Sequence, residues 1–232
     1  MLGIIGAMDK ETGILFDSMA DKRETEYGYS RFVRGTLEGV ECVTARCGIG
    51  KVHAAVCAYQ LIRELGADRV INIGVAGALE EKLGIADAVI ASSAVQHDID
   101  TSPIGDPVGL ISGPNIVHIP CDERMTGLIT QAAELSGIRS TVKAIVTGDR
   151  FVCGREDKSR LADLFGAAAC DMEGGAIAQV CWEAGIPYAA FRTVSDTLEG
   201  SGMEYMMCAE LAGRASAKLL RAFLRLYREE MK

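Results

Sequence analysis

Three acidic residues stand where a short apolar run gives way to a polar or Gly-rich segment. Glu11 follows GIIGAM, Glu173 follows AAACDM, and Asp196 ends FRTVSD. Each run has the length and composition of a buried parallel strand. Because ligands bind beyond the carboxyl ends of such strands in open α/β sheets, we expect the three carboxyl groups to share one site. Converging carboxyl groups predict general acid and base catalysis on a neutral leaving group.

Each residue also has a simpler explanation when it is taken alone. Glu11 would complement the dipole of a helix in its first turn. Glu173 also begins a helix, although the two glycines after it would let a ligand come close. Asp196 follows Ser195, whose hydroxyl could donate a hydrogen bond to it. Phe151 is either a core aromatic or a stacking platform for a planar base.

The surrounding pattern predicts the elements that would position these residues. SRFVRGTL and ECVTARCG, separated by Glu38-Gly39, predict a β-hairpin and therefore a mixed sheet. Alternating strands and helices predict an α/β sandwich of helices about a central sheet, with one domain favoured for residues 1–232. The predicted strands are 1–6, 69–77, 87–95, 142–148, 167–172 and 188–196, and the predicted helices are 9–20, 52–66, 155–165, 173–184 and 208–228.

Residues 96–122 break both periodicities. They contain four of the five prolines of the chain. Such a segment predicts a long surface excursion, and long excursions are usually functional or disordered.

The composition argues against several classes of partner and site. The 232-residue chain has a net charge of −8, and no run of Lys or Arg exceeds two residues, so no nucleic-acid partner is expected. The eight cysteines form no C-x-x-C pair and have no His at zinc-finger spacing, so neither a redox motif nor a structural metal is predicted. With no signal-like start and no apolar span of 18 residues, we expect a soluble cytoplasmic protein with reduced thiols.

The Gly-rich turns do not match known phosphate-binding loops. In CGIGKVH, His53 stands where a dinucleotide fingerprint needs its third glycine, and Val52 follows Lys51 where a P-loop needs Ser or Thr. Close helix packing or close backbone approach to a small ligand explains such turns. His97-Asp98-x-Asp100 has the composition of a metal triplet, but no second cluster of ligands accompanies it.

Six strings in order give the chain a family resemblance: GIIGAMDKE, CGIGK, NIGVAGAL, TGDRF, DMEGGAIAQVC and RTVSD. Each is weak alone, but together and in register they resemble the 5′-methylthioadenosine/S-adenosylhomocysteine nucleosidases, from Gly3 to about Ser216. This family belongs to the nucleoside phosphorylase/hydrolase superfamily. The resemblance implies a single three-layer α/β domain with a mixed, twisted sheet. It also implies hydrolysis of an N-glycosidic bond without metal or cofactor.

The resemblance further implies catalytic roles for the three acids. Glu11 would activate the attacking water, and ionised Glu173 would hold the ribose hydroxyls. Asp196, supported by Ser195, would protonate N7 of adenine, a step that contributes about 10²–10⁴-fold. We expect burial and neighbouring acids to keep Asp196 protonated near neutral pH.

The same resemblance implies a set of substrate-binding residues. They are Ile49, Ala76 and Gly77 on the pocket floor, Phe151 stacked on the base, the Val152 backbone at its Watson–Crick edge, Met172 on the ribose face, and Arg192 ordering the water and carboxylates.

Two residues depart from the family pattern. Val75 stands where many members have serine, and Arg150 is bulky where a smaller or uncharged residue is expected, so substrate preference stays open. Residues 96–122 resemble the segment with which a second subunit caps the 5′-alkylthio pocket. The resemblance therefore implies a homodimer, with Ile104 as a candidate contact.

Other functions fit the pattern less well. A phosphorylase of the same superfamily would need arginines aimed at phosphate, whereas the first turn here is Asp9-Lys10-Glu11, which repels an anion and favours water. Among hydrolases, aminodeoxyfutalosine and other 5′-substituted nucleosides remain alternatives. A non-catalytic nucleoside sensor would not need all three acids.

Overall fold

A mixed β-sheet with helices on its faces forms the body of the protein. The structure, a computed structural model, describes residues 1–230, so the last two residues of the predicted domain 1–232 lie outside it. Within residues 1–230 the sheet has eleven strands in the order β2-β3-β4-β1-β5-β11-β6-β10-β9-β7-β8. The strands are β1 Leu2–Gly6, β2 Ala20–Tyr27, β3 Ser30–Leu37, β4 Val40–Arg46, β5 Arg69–Asn72, β6 Val75–Ala78, β7 Ala88–Gln96, β8 Ile119–Pro120, β9 Ser140–Thr147, β10 Ala167–Asp171 and β11 Tyr188–Asp196.

The helices cover both faces of this sheet. They are α1 Asp9–Ser18, α2 Lys51–Arg63, α3 Glu123–Ser136, α4 Arg155–Phe165, α5 Gly174–Ala184 and α6 Gly202–Glu230. Buried side chains of α1, α3 and α6 share one core cluster, and those of α2 and α5 share another. Leu161 and Phe165 of α4 pack into a third cluster with β9 and β10. The predicted α/β sandwich with a mixed central sheet is confirmed.

One half of the sheet curls until it closes on itself. Strand β11 pairs in parallel with β6 and antiparallel with β7, and β6, β10, β9 and β7 complete the ring. All nine residues of β11 are buried, including the polar residues Arg192, Thr193, Ser195 and Asp196. The ring brings the ends of β6, β10 and β11 to one place.

Several element predictions need correction. The run 69–77 forms two strands, because Gly74 between them has a φ of +151°. Helix α6 begins at Gly202 rather than at residue 208. Segment 96–122 is mostly irregular, as predicted, but includes a short 3₁₀ helix, Ser102–Ile104, and β8. Strand β2 and helix α3 were not predicted.

Candidate active site

The three acids line one cavity beside the closed half of the sheet. Its volume, as the space open to a water-sized molecule, is about 200 Å³. Side chains at or just beyond the ends of β1, β6, β10 and β11 meet here. The argument from one edge of parallel strands does not hold for Glu173, because β10 runs antiparallel to β6 and reaches the cavity through the closure of the sheet. The lining residues are Met8, Glu11, Ile49, Val75, Ala76, Gly77, Arg150, Phe151, Val152, Cys170, Asp171, Met172, Glu173, Ser195, Asp196 and Tyr205.

Glu11 is held rigidly by backbone N–H groups. Its Oε2 accepts hydrogen bonds from the N–H groups of Ala7 (2.7 Å) and Met8 (2.9 Å), and its Oε1 accepts one from Val75 (3.0 Å). Gly74 makes room for this carboxylate, since a Cβ at that position would lie 2.7 Å from Oε1. Burial raises the pKa of Glu11, against the opposing effect of the hydrogen bonds and of the Arg192 charge. A fixed carboxylate with a raised pKa suits a group that must accept a proton.

Glu173 lies between β10 and α5 and reaches across to the start of α2. Its Oε1 accepts a hydrogen bond from Gly50 N–H at 2.9 Å. Burial, with the charge of nearby Asp171, raises the pKa of Glu173 to about 8. This shift favours the protonated form of the carboxyl group, and the ionised state that the resemblance implies stays a prediction. Hydroxyl donors on a bound ligand would favour the ionised form.

Asp196 ends β11 and is engaged on both oxygens. Ser195 Oγ donates to Oδ1 at 2.9 Å, and Lys158 Nζ donates to Oδ2 at 2.6 Å. Both partners of this ion pair are buried, with side-chain exposures of 0% and 2%. The side chain in contact with Asp196 Oδ2 is therefore a lysine, and not one of the neighbouring acids that the sequence analysis expected.

The predicted binding residues, apart from Arg192, form the walls around these acids. Phe151 is 43% exposed, and its ring meets Tyr205 edge-on at 5.4 Å, so the aromatic lies at the cavity rather than in the core. Gly77 leaves space beside Asp196, because a Cβ there would lie 2.8 Å from Oδ2. The other predicted wall residues in the lining are Ile49, Ala76, Val152, Met172 and Ser195.

Arg192 lies behind the cavity wall and is not among the lining residues of the described chain. It is 2% exposed, pairs with Asp171, and donates to the backbone carbonyls of Asn72 (3.2 Å) and Phe191 (3.0 Å). Its charge still lowers the proton affinity of Glu11 and Glu173. Arg192 thus acts on the two glutamates through its charge, from behind the cavity wall. It does not line the space where an attacking water would lie, so the predicted direct contact with that water is absent from this arrangement.

Several residues at the site were missed by sequence reasoning. Asp171 adjoins the predicted Met172, and Met8 lies three residues before Glu11, so proximity in sequence could have found both. Tyr205 comes from the first turn of α6, whose start was misplaced. Lys158 falls on the buried face of α4 with Leu161 and Phe165. The helical spacing of these three residues was the signal from which a buried lysine could have been predicted.

The remaining polar clusters belong to structure. Asp98, of the possible metal triplet, pairs with Lys51 at 2.6 Å and accepts a hydrogen bond from Asp149 N–H at 2.9 Å. Among residues 1–230 there is no group of three His, Cys, Asp or Glu side chains placed to hold a metal ion. No helix in that range is long and apolar enough to cross a bilayer.

A mixed β-sheet flanked by helices, with a carboxyl-lined cavity at its strand ends, defines the class of protein. The sequence matches the family model of the phosphorylase superfamily over residues 1–225, and the chain belongs to this superfamily.

Within the superfamily the chain is similar to nucleosidases, which confirms the resemblance seen in the sequence. The 5′-methylthioadenosine/S-adenosylhomocysteine nucleosidase of Shewanella halifaxensis is 34% identical over 226 residues, 97% of this chain and 98% of the relative. The nucleosidase of the same name from Neisseria meningitidis, solved with methylthio-immucillin-A, superimposes with a TM-score of 0.92 at 32% identity, covering 97% of this chain and 98% of the other. A Helicobacter pylori structure called futalosine hydrolase gives a TM-score of 0.90 at 33% identity, covering 96% of each chain.

Proposed function

We propose that this protein hydrolyses the N-glycosidic bond of 5′-methylthioadenosine and S-adenosylhomocysteine, releasing adenine and the 5′-thioribose product. The observation that carries the proposal is the meeting of Glu11, Glu173 and Asp196, from three distant parts of the chain, around one cavity. The nucleosidase relatives of nearly equal length support the same reaction.

The chemistry assigns one task to each acid. Asp196 protonates adenine N7 as the C1′–N9 bond lengthens, which makes adenine a better leaving group. Glu173 binds the ribose hydroxyls and, once ionised, stabilises the positive charge that develops on the ribosyl group. Glu11, held by three backbone N–H groups, takes a proton from the water that attacks C1′.

The walls fit a purine nucleoside. Phe151 offers an aromatic face at the cavity, and the Val152 backbone stands beside it for the edge of the base. Met172 and Ile49 supply apolar surface on the ribose side. No metal or cofactor is part of the proposed reaction.

Charge at the cavity favours water over phosphate as the nucleophile. Among the lining residues in the described chain, Arg150 is the one cationic side chain, and its guanidinium pairs with Asp157 at 2.8 Å. Glu11 stands where the nucleophile is expected, and a carboxylate there repels a phosphate anion. Phosphorolysis is therefore the weaker candidate.

A second candidate is hydrolysis of aminodeoxyfutalosine. The observation that favours it is the Helicobacter pylori structure called futalosine hydrolase, which matches this chain as well as several nucleosidases do. Val75 and Arg150 both line the cavity. Because these two residues depart from the family pattern, the preferred 5′ substituent can differ from that of the nucleosidases.

We also propose that the protein works as a homodimer in the cytoplasm. Three apolar side chains of α2, Val52, Val56 and Tyr59, are 74%, 49% and 58% exposed in the single chain, which fits a surface that a second copy covers. Ile104, from the excursion that the family resemblance assigns to the partner's pocket, is 82% exposed.

All eight cysteines are unpaired, as a reducing compartment would keep them. Sedimentation equilibrium would test the dimer, and a monomer at micromolar concentration would contradict it.

Adenine release tests the proposed reaction. Purified protein is mixed with methylthioadenosine, S-adenosylhomocysteine or aminodeoxyfutalosine, with and without phosphate, and free adenine is quantified by chromatography. We expect release from the first two substrates without phosphate. Release that depends on phosphate would indicate a phosphorylase. A preference for aminodeoxyfutalosine would support the second candidate. Binding of a nucleoside without release of adenine would indicate a sensor.

A further inference from the structure

Helix α4 carries a lysine that the proposed reaction does not use. Lys158 is fully buried, with Leu161 and Phe165 on the same face of α4. Its Nζ donates to Asp196 Oδ2 and to the carbonyl of Thr197, both at 2.6 Å. A lysine buried this deeply is costly unless a partner balances its charge, and Asp196 is that partner.

The lysine reaches the cavity only through Asp196. Asp196 belongs to the cavity lining and Lys158 does not. The shared oxygen, Oδ2, adjoins the cavity wall, because a Cβ on the lining residue Gly77 would lie 2.8 Å from Oδ2 and 3.4 Å from Lys158 Cε. Oδ2 therefore contacts the lysine on one side and the wall of the cavity on the other.

We propose that Lys158 is a positioning residue that holds the proton which Asp196 passes to the leaving group. This inference rests on the proposed nucleosidase function. It accounts for how an acid in contact with an ammonium ion can still protonate a substrate.

The number of protons on the pair of Lys158 and Asp196 explains how Asp196 can still donate a proton. Lys158 and Asp196 together are neutral when they share one transferable proton, on Nζ or on Oδ2. Removing that proton leaves a net negative charge in a buried site, and adding another leaves a net positive charge, each of which is unfavourable. The buried site therefore favours the form of the pair that holds one transferable proton.

The transfer balances in atoms and charge. The N–H bond of Lys158 breaks as an O–H bond forms at Asp196 Oδ2, and that O–H bond breaks as N7–H forms. The electrons of the C1′–N9 bond pass to adenine, while Glu11 accepts a proton from the attacking water. As the products leave, solvent removes the proton from Glu11 and returns one to Lys158.

Few other titratable groups face this pair. Cys170 on β10 stays a thiol, since burial raises its pKa to about 12. Asp171 on the same strand is paired with Arg192. Glu204 of α6 accepts hydrogen bonds from Thr197 N–H and Oγ1. Glu173, whose pKa burial raises to about 8, lines the same cavity, and the wild-type pH profile records its effect.

The test is the pH dependence of Lys158→Met relative to wild type. Turnover of methylthioadenosine is measured from pH 6 to pH 9.5. At pH 6 a lone Asp196 can carry its own proton, so we expect the variant within about fivefold of wild-type kcat. By pH 9 we expect its relative activity to have fallen at least a further tenfold. Arg155→Gln is the control on the same helix, because Arg155 pairs with Glu81 and Glu199 at the surface.

A substrate with a different leaving group separates a proton role from a structural one. The 4-nitrophenolate of a 4-nitrophenyl 5-methylthioriboside leaves without a proton, so the ratio of variant to wild-type activity on this substrate should be the same at pH 6 and pH 9. A ratio for methylthioadenosine that is constant over the pH range would overturn the proposal, as would an equal pH effect on both substrates. If Lys158→Met does not fold, Lys158→Gln, which can still donate a hydrogen bond to Asp196, gives the same comparison. Absence of adenine release by the wild type at every pH would instead contradict the nucleosidase function.

Discussion

Replacing Glu173 with glutamine should stabilise the protein at alkaline pH. The folded state raises the pKa of this carboxyl from its ordinary value of 4.5 to about 8, chiefly by burial. A carboxyl with a raised pKa favours folding fully below pH 4.5, and this contribution is lost as the pH rises through 8. At about 1.4 kcal/mol per pH unit, the rise from 4.5 to about 8 corresponds to at most about 5 kcal/mol.

The measured gain should be smaller than this bound. Glu173 lines a cavity that is open at its mouth, so water can solvate part of the charge. We expect Glu173→Gln to exceed wild type by about 1–3 kcal/mol at pH 9, or roughly 3–10 °C in Tm, and to match it near pH 5. Glutamine keeps an oxygen that can accept the hydrogen bond from Gly50 N–H, which makes the comparison conservative.

Thermal unfolding followed by circular dichroism at pH 5, 7 and 9 provides the measurement. Glu183→Gln serves as the matched control, because Glu183 lies on the same helix and is exposed. A Tm difference between Glu173→Gln and wild type that does not change with pH would refute the reasoning.

Four further substitutions test the site. Asp196→Asn should lower kcat by about 10²–10⁴-fold with nucleoside affinity nearly kept, and near-normal turnover in a stopped assay would remove Asp196 as the acid. Glu11→Gln should lose turnover similarly, while calorimetry that finds nucleoside binding abolished would indicate a structural role. Gly77→Ala should reduce kcat/KM at least tenfold in a folded protein, because its methyl group would lie 2.8 Å from the Asp196 carboxylate; unchanged kinetics would mean that the wall yields. Arg192→Met should cost about 3–5 kcal/mol in urea unfolding by leaving Asp171 buried without its cation, and a loss below 1 kcal/mol would contradict that role.

Much of the fold follows from local patterns in the sequence. The run YAAFRTVSD becomes β11 with its predicted bounds, and Glu38-Gly39 forms the turn of a hairpin. Strand β2 could not be recognised in the same way, since ADKRETEY is almost entirely exposed and lies at the edge of the sheet. Helix α3 did leave a local signal, because Asp122 caps its first turn and Gly137 ends it.

The position of the acids was predictable, whereas their charge states were not. Strand ends locate Glu11, Glu173 and Asp196 in the sequence, and the structure brings them to one cavity. The proton affinity of a carboxyl group depends on desolvation and on neighbours from other elements. The contact between Lys158 of α4 and Asp196 of β11 joins residues 38 positions apart, and no local pattern encodes that pairing.

Each of the three carboxylates is anchored by a segment far away in the chain. Glu11 is bonded to Val75, Glu173 to Gly50 and Asp196 to Lys158, at separations of 64, 123 and 38 residues. A fragment or a half-assembled intermediate would lack at least one of these anchors. Recovery of enzymatic turnover during refolding should therefore trail the recovery of secondary structure, and turnover would report the completion of the whole molecule.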